Sequence, residues 1–281
     1  MMEKIKRTSG FTLVELLVVI SIIAMLLAVL MPALNKARET AKRVICGSNA
    51  RSTGAGVHAY ANSNDGKIME QYVDPTVEDG MPFPWQSVFA FISSPKNPVH
   101  LGILYRSNYI KNPEVFYCPS QPKVSSYPLP YHYAVYTKEG TVEWGTKFIE
   151  QPAGHIAVRT SYNYWMAGSD LMSLPARNRA ALVEQTIANR SKIVNLRSCE
   201  PILFDNCQEW EVLPHKSGPN NPTGITTLFT DGHVSFCRSK QLFSSEGNDK
   251  CWPKNFRAYF DGPGNNIACF LRIVKELKNI Q

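Results

Sequence analysis

The chain has 281 residues, of which 44% are hydrophobic and 19% charged, with 17 Gly and 19 Pro. This is the makeup of one or two globular domains, and it excludes a disordered, collagenous or polytopic membrane protein. Lys and Arg number 30 against 23 Asp and Glu, a net charge of +7 that taken alone suggests a nucleic-acid or anionic surface. The distribution argues otherwise. Up to Arg51 eight basic residues face three acidic ones, leaving +5, whereas the remaining 230 residues carry only +2. The basic excess therefore brackets one apolar segment near the N-terminus, and nucleic acid is not an expected partner.

That segment, Phe11 to Met31, is 21 residues long with Glu15 as its only charge. As a helix rising about 1.5 Å per residue it covers about 30 Å, the thickness of a bilayer core. Lys4, Lys6 and Arg7 precede it and favour a cytoplasmic N-terminus, while the basic residues from Lys36 to Arg51 weaken that bias. A cleaved secretory signal is disfavoured by the length of the run, its internal acid and the absence of an A-x-A site before Pro32. A plain signal anchor fits the length but leaves Glu15 without a reason, because a carboxylate in an apolar helix costs about 3 kcal/mol at mid-membrane. A cut between Gly10 and Phe11 would supply one: it creates an α-amino group one turn before Glu15, at a helix start where a carboxylate is favoured.

The stretch Lys6-Arg7-Thr8-Ser9-Gly10-Phe11-Thr12-Leu13-Val14-Glu15, followed by the apolar run, closely resembles the processing motif of type IV prepilins and type II secretion pseudopilins. The resemblance implies a prepilin peptidase that cuts after Gly10 and methylates the Phe11 amine. It also implies that Glu15 meets the amine of a neighbouring subunit during filament assembly.

Beyond the membrane run, Leu34, Ala37, Ala41, Val44, Ser48, Ser52, Ala55 and Ala59 recur at three- and four-residue steps, which predicts a helix with one buried face continuing to about Tyr60. Pro32 is expected to bend it, and Asn62-Ser-Asn-Asp-Gly66 to end it. The expected organisation is a leader at 1–10, a transmembrane and spine helix at 11–61 and a globular head at 62–281. Pro-rich stretches at 81–85, 94–98 and 127–130 read as loops. Strands are expected at 155–159, 161–165, 201–204, 226–230 and 233–237, and helices at 101–109 and 267–277. The fold class is α+β, a pilin-like arrangement of a long N-terminal helix on an antiparallel sheet.

Within the head, Leu228-Phe-Thr-Asp231-Gly232-His233-Val234 places Asp-Gly between two β-prone runs, the chemistry of a two-residue hairpin turn. This structural reading outweighs a metal constellation of Asp231, His233 and His215, since no spaced ligand set supports one. Asp205 and Asp231 are candidates for calcium by analogy with some pseudopilins, without a D-x-D loop. The same stretch resembles a C-terminal element of bacterial prepilin-like proteins in which a His stands about nine residues ahead. Here fifteen residues separate His215 from Asp231. Cys46-Gly-Ser-Asn49 and Phe116-Tyr-Cys-Pro-Ser120 are two further echoes of that family.

All seven Cys lie beyond the membrane run, on the side expected to be disulfide-permissive. Three bridges and one thiol can be drawn in about a hundred ways, so connectivity stays open. Cys46 with Cys118 is the first pairing to expect, because it ties helix to head. No C-x-x-C, H-E-x-x-H, G-x-S-x-G or phosphate loop is present, so no enzyme and no cofactor is expected. Tyr162-Asn-Tyr-Trp165 reads as strand core rather than a sugar-binding face. The sequence thus favours a pilin or pseudopilin subunit of the bacterial inner membrane, single-pass, with its head in the periplasm or on the cell surface. The partners that the resemblance implies are prepilin peptidase, other pilin or pseudopilin subunits and inner-membrane lipid. The alternative is a membrane-anchored envelope protein that binds polysaccharide and uses a pilin-type leader.

Overall fold

A computed structural model describes residues 11–73, 82, 86–92, 97–122, 136, 144, 149–150, 156–168, 171, 174–175, 177–207, 212–217, 221–239, 242–243 and 265–279. The leader with Gly10, most of the Pro-rich stretches, His155, Cys251 and the Cys269 side chain lie outside them. The chain forms two compact units, Met1–Ala41 and Lys42–Gln281.

Helix α1 runs from Leu13 to Ser63 and continues through Pro32. It ends where expected: Asp65 and Gly66 take positive φ, and the Gly66 N–H closes onto the Ala61 carbonyl at 2.9 Å. In the second unit α1 buries Cys46, Ala50, Thr53, Gly54, Gly56, Val57 and Ala61. The predicted stripe through Val44, Ser48, Ser52, Ala55 and Ala59 is instead the exposed face. Small residues occupy both faces of this segment, so periodicity alone chose the wrong one. Close approach marks the right one, because a Cβ at Gly54 would stand 2.8 Å from Leu228 and one at Gly56 would stand 2.8 Å from Ile110.

The second unit carries two antiparallel sheets. In the first, β1 (Phe89–Ile92) and β2 (Ile149–Glu150) flank β3 (Ile156–Arg159). In the second, β4 (Tyr162–Tyr164), β5 (Pro201–Asp205), β6 (Ile225–Phe229) and β7 (Val234–Cys237) lie in sequential order. Helix α2 (Leu101–Arg106) presses on β1. Helix α3 (Arg179–Arg190) buries Val183 and Ile187, and helix α4 (Asn265–Asn279) places Phe270 against Trp165 and Phe204. The second sheet is thus covered twice. Leu203 and Leu228 pair across β5 and β6 on the face that α1 covers, and Phe204 points to α4. Double cover explains why β4, β5 and β6 are buried along their whole length, the polar Asn163, Thr226 and Thr227 included.

The β6–β7 connection differs from the expected two-residue turn. Gly232 donates to the Phe229 carbonyl at 2.9 Å and Phe229 to the His233 carbonyl at 3.0 Å, so the loop is Thr230–Gly232. Only Gly232 needs positive φ, at 86°. This is a type I turn closed by a glycine bulge, the commonest three-residue hairpin.

Glu200, just before β5, pairs with Arg190 at the end of α3 and with Lys278 at the end of α4, the latter at 3.2 Å. It ties both helices to one strand.

Candidate functional site

Two echoes that lie 70 residues apart in the sequence become one contact. A disulfide joins Cys46 on α1 to Cys118, and the Asn49 amide three residues further along α1 donates to the Tyr117 carbonyl at 3.2 Å. Cys118 follows a short 3-10 helix, Pro113–Phe116, whose start is capped by the Asn112 side chain on the Glu114 N–H at 3.0 Å. Its own N–H donates to the Ser161 hydroxyl ahead of β4.

Asp205 and His215 complete this corner. Asp205 ends β5 and lies on the same sheet face as Leu203, the face toward α1. The Thr226 N–H donates to its Oδ2 at 2.6 Å. His215 sits in the loop at 212–217, where its carbonyl accepts from the Thr223 N–H at 2.8 Å and the Thr223 hydroxyl at 3.0 Å. Its Nε2 stands 3.2 Å from Asp205 Oδ2, 3.3 Å from the Thr226 hydroxyl and 3.7 Å from Cys118 Sγ. The donor atoms of Cys46, Cys118, Asp205 and His215 all lie within 4.8 Å of one another, and all four residues are buried.

At the other end of the chain, Thr12 and Glu15 close the start of α1. The Glu15 Oε2 accepts from the Thr12 N–H at 2.9 Å and its hydroxyl at 2.7 Å, while Thr12 Oγ1 accepts from the Glu15 N–H at 3.3 Å. This is a capping box, in which each side chain satisfies a donor that the first helical turn leaves open. Hydropathy treats Glu15 as an acid in need of a distant partner. The Thr12-x-x-Glu15 spacing is the signal that finds its local one. From Phe11 to Leu34 the large apolar side chains are exposed, at 44% to 75% of their full area. Helix α1 is long and apolar enough to cross a membrane.

Residues 5–31 match the model of the prokaryotic N-terminal methylation motif. The chain is prepilin-like at its N-terminus. No curated protein and no solved structure matches the chain. The prepilin-like motif spans Phe11, Glu15 and the apolar run, and leaves residues 32–281 outside the match.

In this prepilin-like chain the remaining sequence candidates resolve by location. His215 joins Asp205, whereas His233 stacks on Phe229 at 4.3 Å and pairs with Asp231 at 2.6 Å. The three residues weighed as a metal constellation are therefore not brought together. Burial nudges the Asp231 carboxyl up, but the His233 N–H and imidazole outweigh it and hold that carboxyl below its usual range. Tyr162, Asn163, Tyr164 and Trp165 are all buried and form strand core. Of the basic residues between Lys36 and Arg51, Arg43 folds inward, donating to the Thr223 hydroxyl at 2.7 Å and lying 4.7 Å over the Phe236 ring. Cys207 and Cys237 are buried thiols, and burial pushes both up, with the Asp205 charge adding to the shift at each. Burial and the upward shift both disfavour the thiolate, the nucleophilic form.

Proposed function

We propose that this protein is a non-enzymatic pilin-like subunit, cut by a prepilin peptidase between Gly10 and Phe11 and methylated on the new Phe11 amine. It then assembles through α1 into a type IV pilus or a type II secretion pseudopilus. The methylation motif at residues 5–31 carries this reading, and the exposed apolar surface from Phe11 to Leu34 supports it. An apolar helix of this length is solvated either by lipid or by other helices. Before assembly it is a single-pass anchor in the bacterial inner membrane, with the head on the periplasmic side. In the filament, neighbouring helices replace lipid, and the Phe11 amine of one subunit neutralises Glu15 of another.

N-terminal sequencing and mass spectrometry of the mature protein test the processing step. N-methyl-Phe11 is the expected terminus, and an intact Met1 or a cut beyond Met31 overturns it. The rival reading, a solitary anchor whose head binds polysaccharide, is favoured by the size of the second unit, Lys42–Gln281. Crosslinks between α1 helices of separate copies are expected for a subunit and absent for a solitary anchor.

A further inference from the structure

The corner formed by Cys46, Cys118, Asp205 and His215 has chemistry that filament assembly does not use. Two sulfurs, one carboxylate and one imidazole converge within 4.8 Å, each from a different part of the head: α1, the segment before β2, the end of β5 and the loop at 212–217. Tetrahedral zinc, with bonds of about 2.0 Å to N and O and about 2.3 Å to S, sets N···O edges of about 3.3 Å and N···S edges of about 3.6 Å. The corresponding separations here are 3.2 Å from His215 Nε2 to Asp205 Oδ2 and 3.7 Å from His215 Nε2 to Cys118 Sγ. Two edges of the polyhedron are already in place. Asp205 adds an independent sign. Its Oδ2 is held by the Thr226 N–H and faced by His215 Nε2 at 3.2 Å, while its Oδ1 is buried with no hydrogen-bond partner among the described residues. A buried, oriented carboxylate with an open oxygen calls for a positive partner.

We infer that, when the Cys46–Cys118 disulfide is reduced, the two thiolates, the Asp205 carboxylate and the His215 imidazole bind one zinc ion, which takes over from the disulfide in fastening α1 to the head. The inference does not rest on the filament reading. Reduction breaks the S–S bond: a dithiol supplies two electrons and two protons and leaves as its own disulfide. Zinc then displaces the two thiol protons, giving a closed centre of net charge −1 with a neutral imidazole. The sulfurs must part from a bonded distance of about 2.05 Å to an edge of about 3.8 Å, which rotation of the two cysteine side chains shares between them. The donor set selects the metal, since calcium and magnesium take oxygen shells, whereas a closed S2NO tetrahedron suits zinc. With all four ligands buried and supplied by protein, the site is structural and holds no open position for substrate.

The test uses the full-length protein in detergent, reduced with a dithiol under argon in the presence of zinc and then desalted. Elemental analysis is expected to find one zinc per chain, against less than about a tenth of that in the oxidised protein. Cobalt in place of zinc is expected to give a thiolate charge-transfer band and the visible bands of a tetrahedral ion. A variant combining Cys199→Ser, Cys207→Ser, Cys237→Ser, Cys251→Ser and Cys269→Ser keeps the metal. Cys118→Ser and His215→Ala each weaken it at least about tenfold with an unchanged far-UV circular dichroism spectrum. Zinc that survives combined Cys46→Ser and Cys118→Ser substitution overturns the site. So do an octahedral cobalt spectrum, a reduced protein that takes up no zinc, and a reduced protein that unfolds whether or not zinc is present.

Discussion

Glu15 caps the start of α1 and, on the proposed reading, also pairs with an amine; the two roles separate by substitution. As a cap it needs only an acceptor oxygen for the Thr12 N–H and hydroxyl, whereas as a partner for an amine it needs charge. Glu15→Gln keeps the acceptor and loses the charge, so it is expected to insert and be cleaved normally but enter filaments at least about tenfold less well. Thr12→Ala costs about 1 kcal/mol at the helix start and leaves the charge, so filament entry falls little. Immunoblots of sheared filaments against membrane fractions measure both, and normal assembly of Glu15→Gln would refute charge pairing. His100 makes a second residue-scale prediction. It is buried, its Nε2 accepts from the Tyr72 N–H at 2.9 Å, and its Nδ1 donates to the Phe89 carbonyl at 3.2 Å, so the fold holds the neutral ring. Burial lowers its pKa to about 4, against a slight opposing pull from the Phe89 carbonyl, while the unfolded ring titrates near 6.5. Between those values the unfolded chain binds the extra proton. Stability present above pH 6.5 is therefore lost as pH falls toward 4, by about 3 kcal/mol in all. Urea midpoints of the protein in detergent, taken across that window, are expected to fall with pH, and His100→Gln to flatten the slope.

Glycines report how tightly the elements pack. Gly102 opens α2 against β1, and a Cβ there would stand 1.9 Å from the Ala90 carbonyl oxygen, a backbone atom that cannot swing aside. Gly102→Ala is expected to lower stability by about 3 kcal/mol or more. Gly47 lies in α1 with nothing within 4 Å of an added Cβ, so Gly47→Ala gains about 0.5 to 1 kcal/mol from helix propensity alone. Thermal unfolding of the pair, one down and one up, checks the packing directly. The same elements show what the sequence made legible. Strands β3 to β7 and helix α4 follow from β-prone or helix-periodic stretches bounded by turn residues. Strand β1 was hidden between Pro-rich stretches, and α3 carries only Val183 and Ile187 as its buried pair, too thin a pattern to stand out. The α1 stripe failed for a different reason: where a sheet approaches within reach of Gly54, the buried residues must be small, and smallness does not distinguish a face.

At the scale of the whole molecule, what the sequence withheld was convergence. The N-terminal motif is local, so its residues were readable in order. The buried corner draws Cys46, Cys118, Asp205 and His215 from positions spread over 170 residues, and no spacing rule links them before the strands pair. His215 and Asp205 were each visible as chemistry-bearing residues, but only the β5–β6 register and the Thr223 contacts bring them together. That corner also sets how α1 is held. Its buried face offers small side chains with little area, so the Cys46–Cys118 link, closing a sequence separation of 72 residues, carries a large part of the attachment. A loop of that length restricts the unfolded chain by about 4 kcal/mol on the chain-entropy account. Combined Cys46→Ala and Cys118→Ala substitution, with a chelator present to remove any metal contribution, is therefore expected to lower unfolding free energy by about that amount. The loss should appear as a lower denaturant midpoint with protease-sensitive bonds between Gly47 and Ser63. A double variant with unchanged protection there would mean that packing at Gly54, Gly56 and Val57 holds the helix without the link.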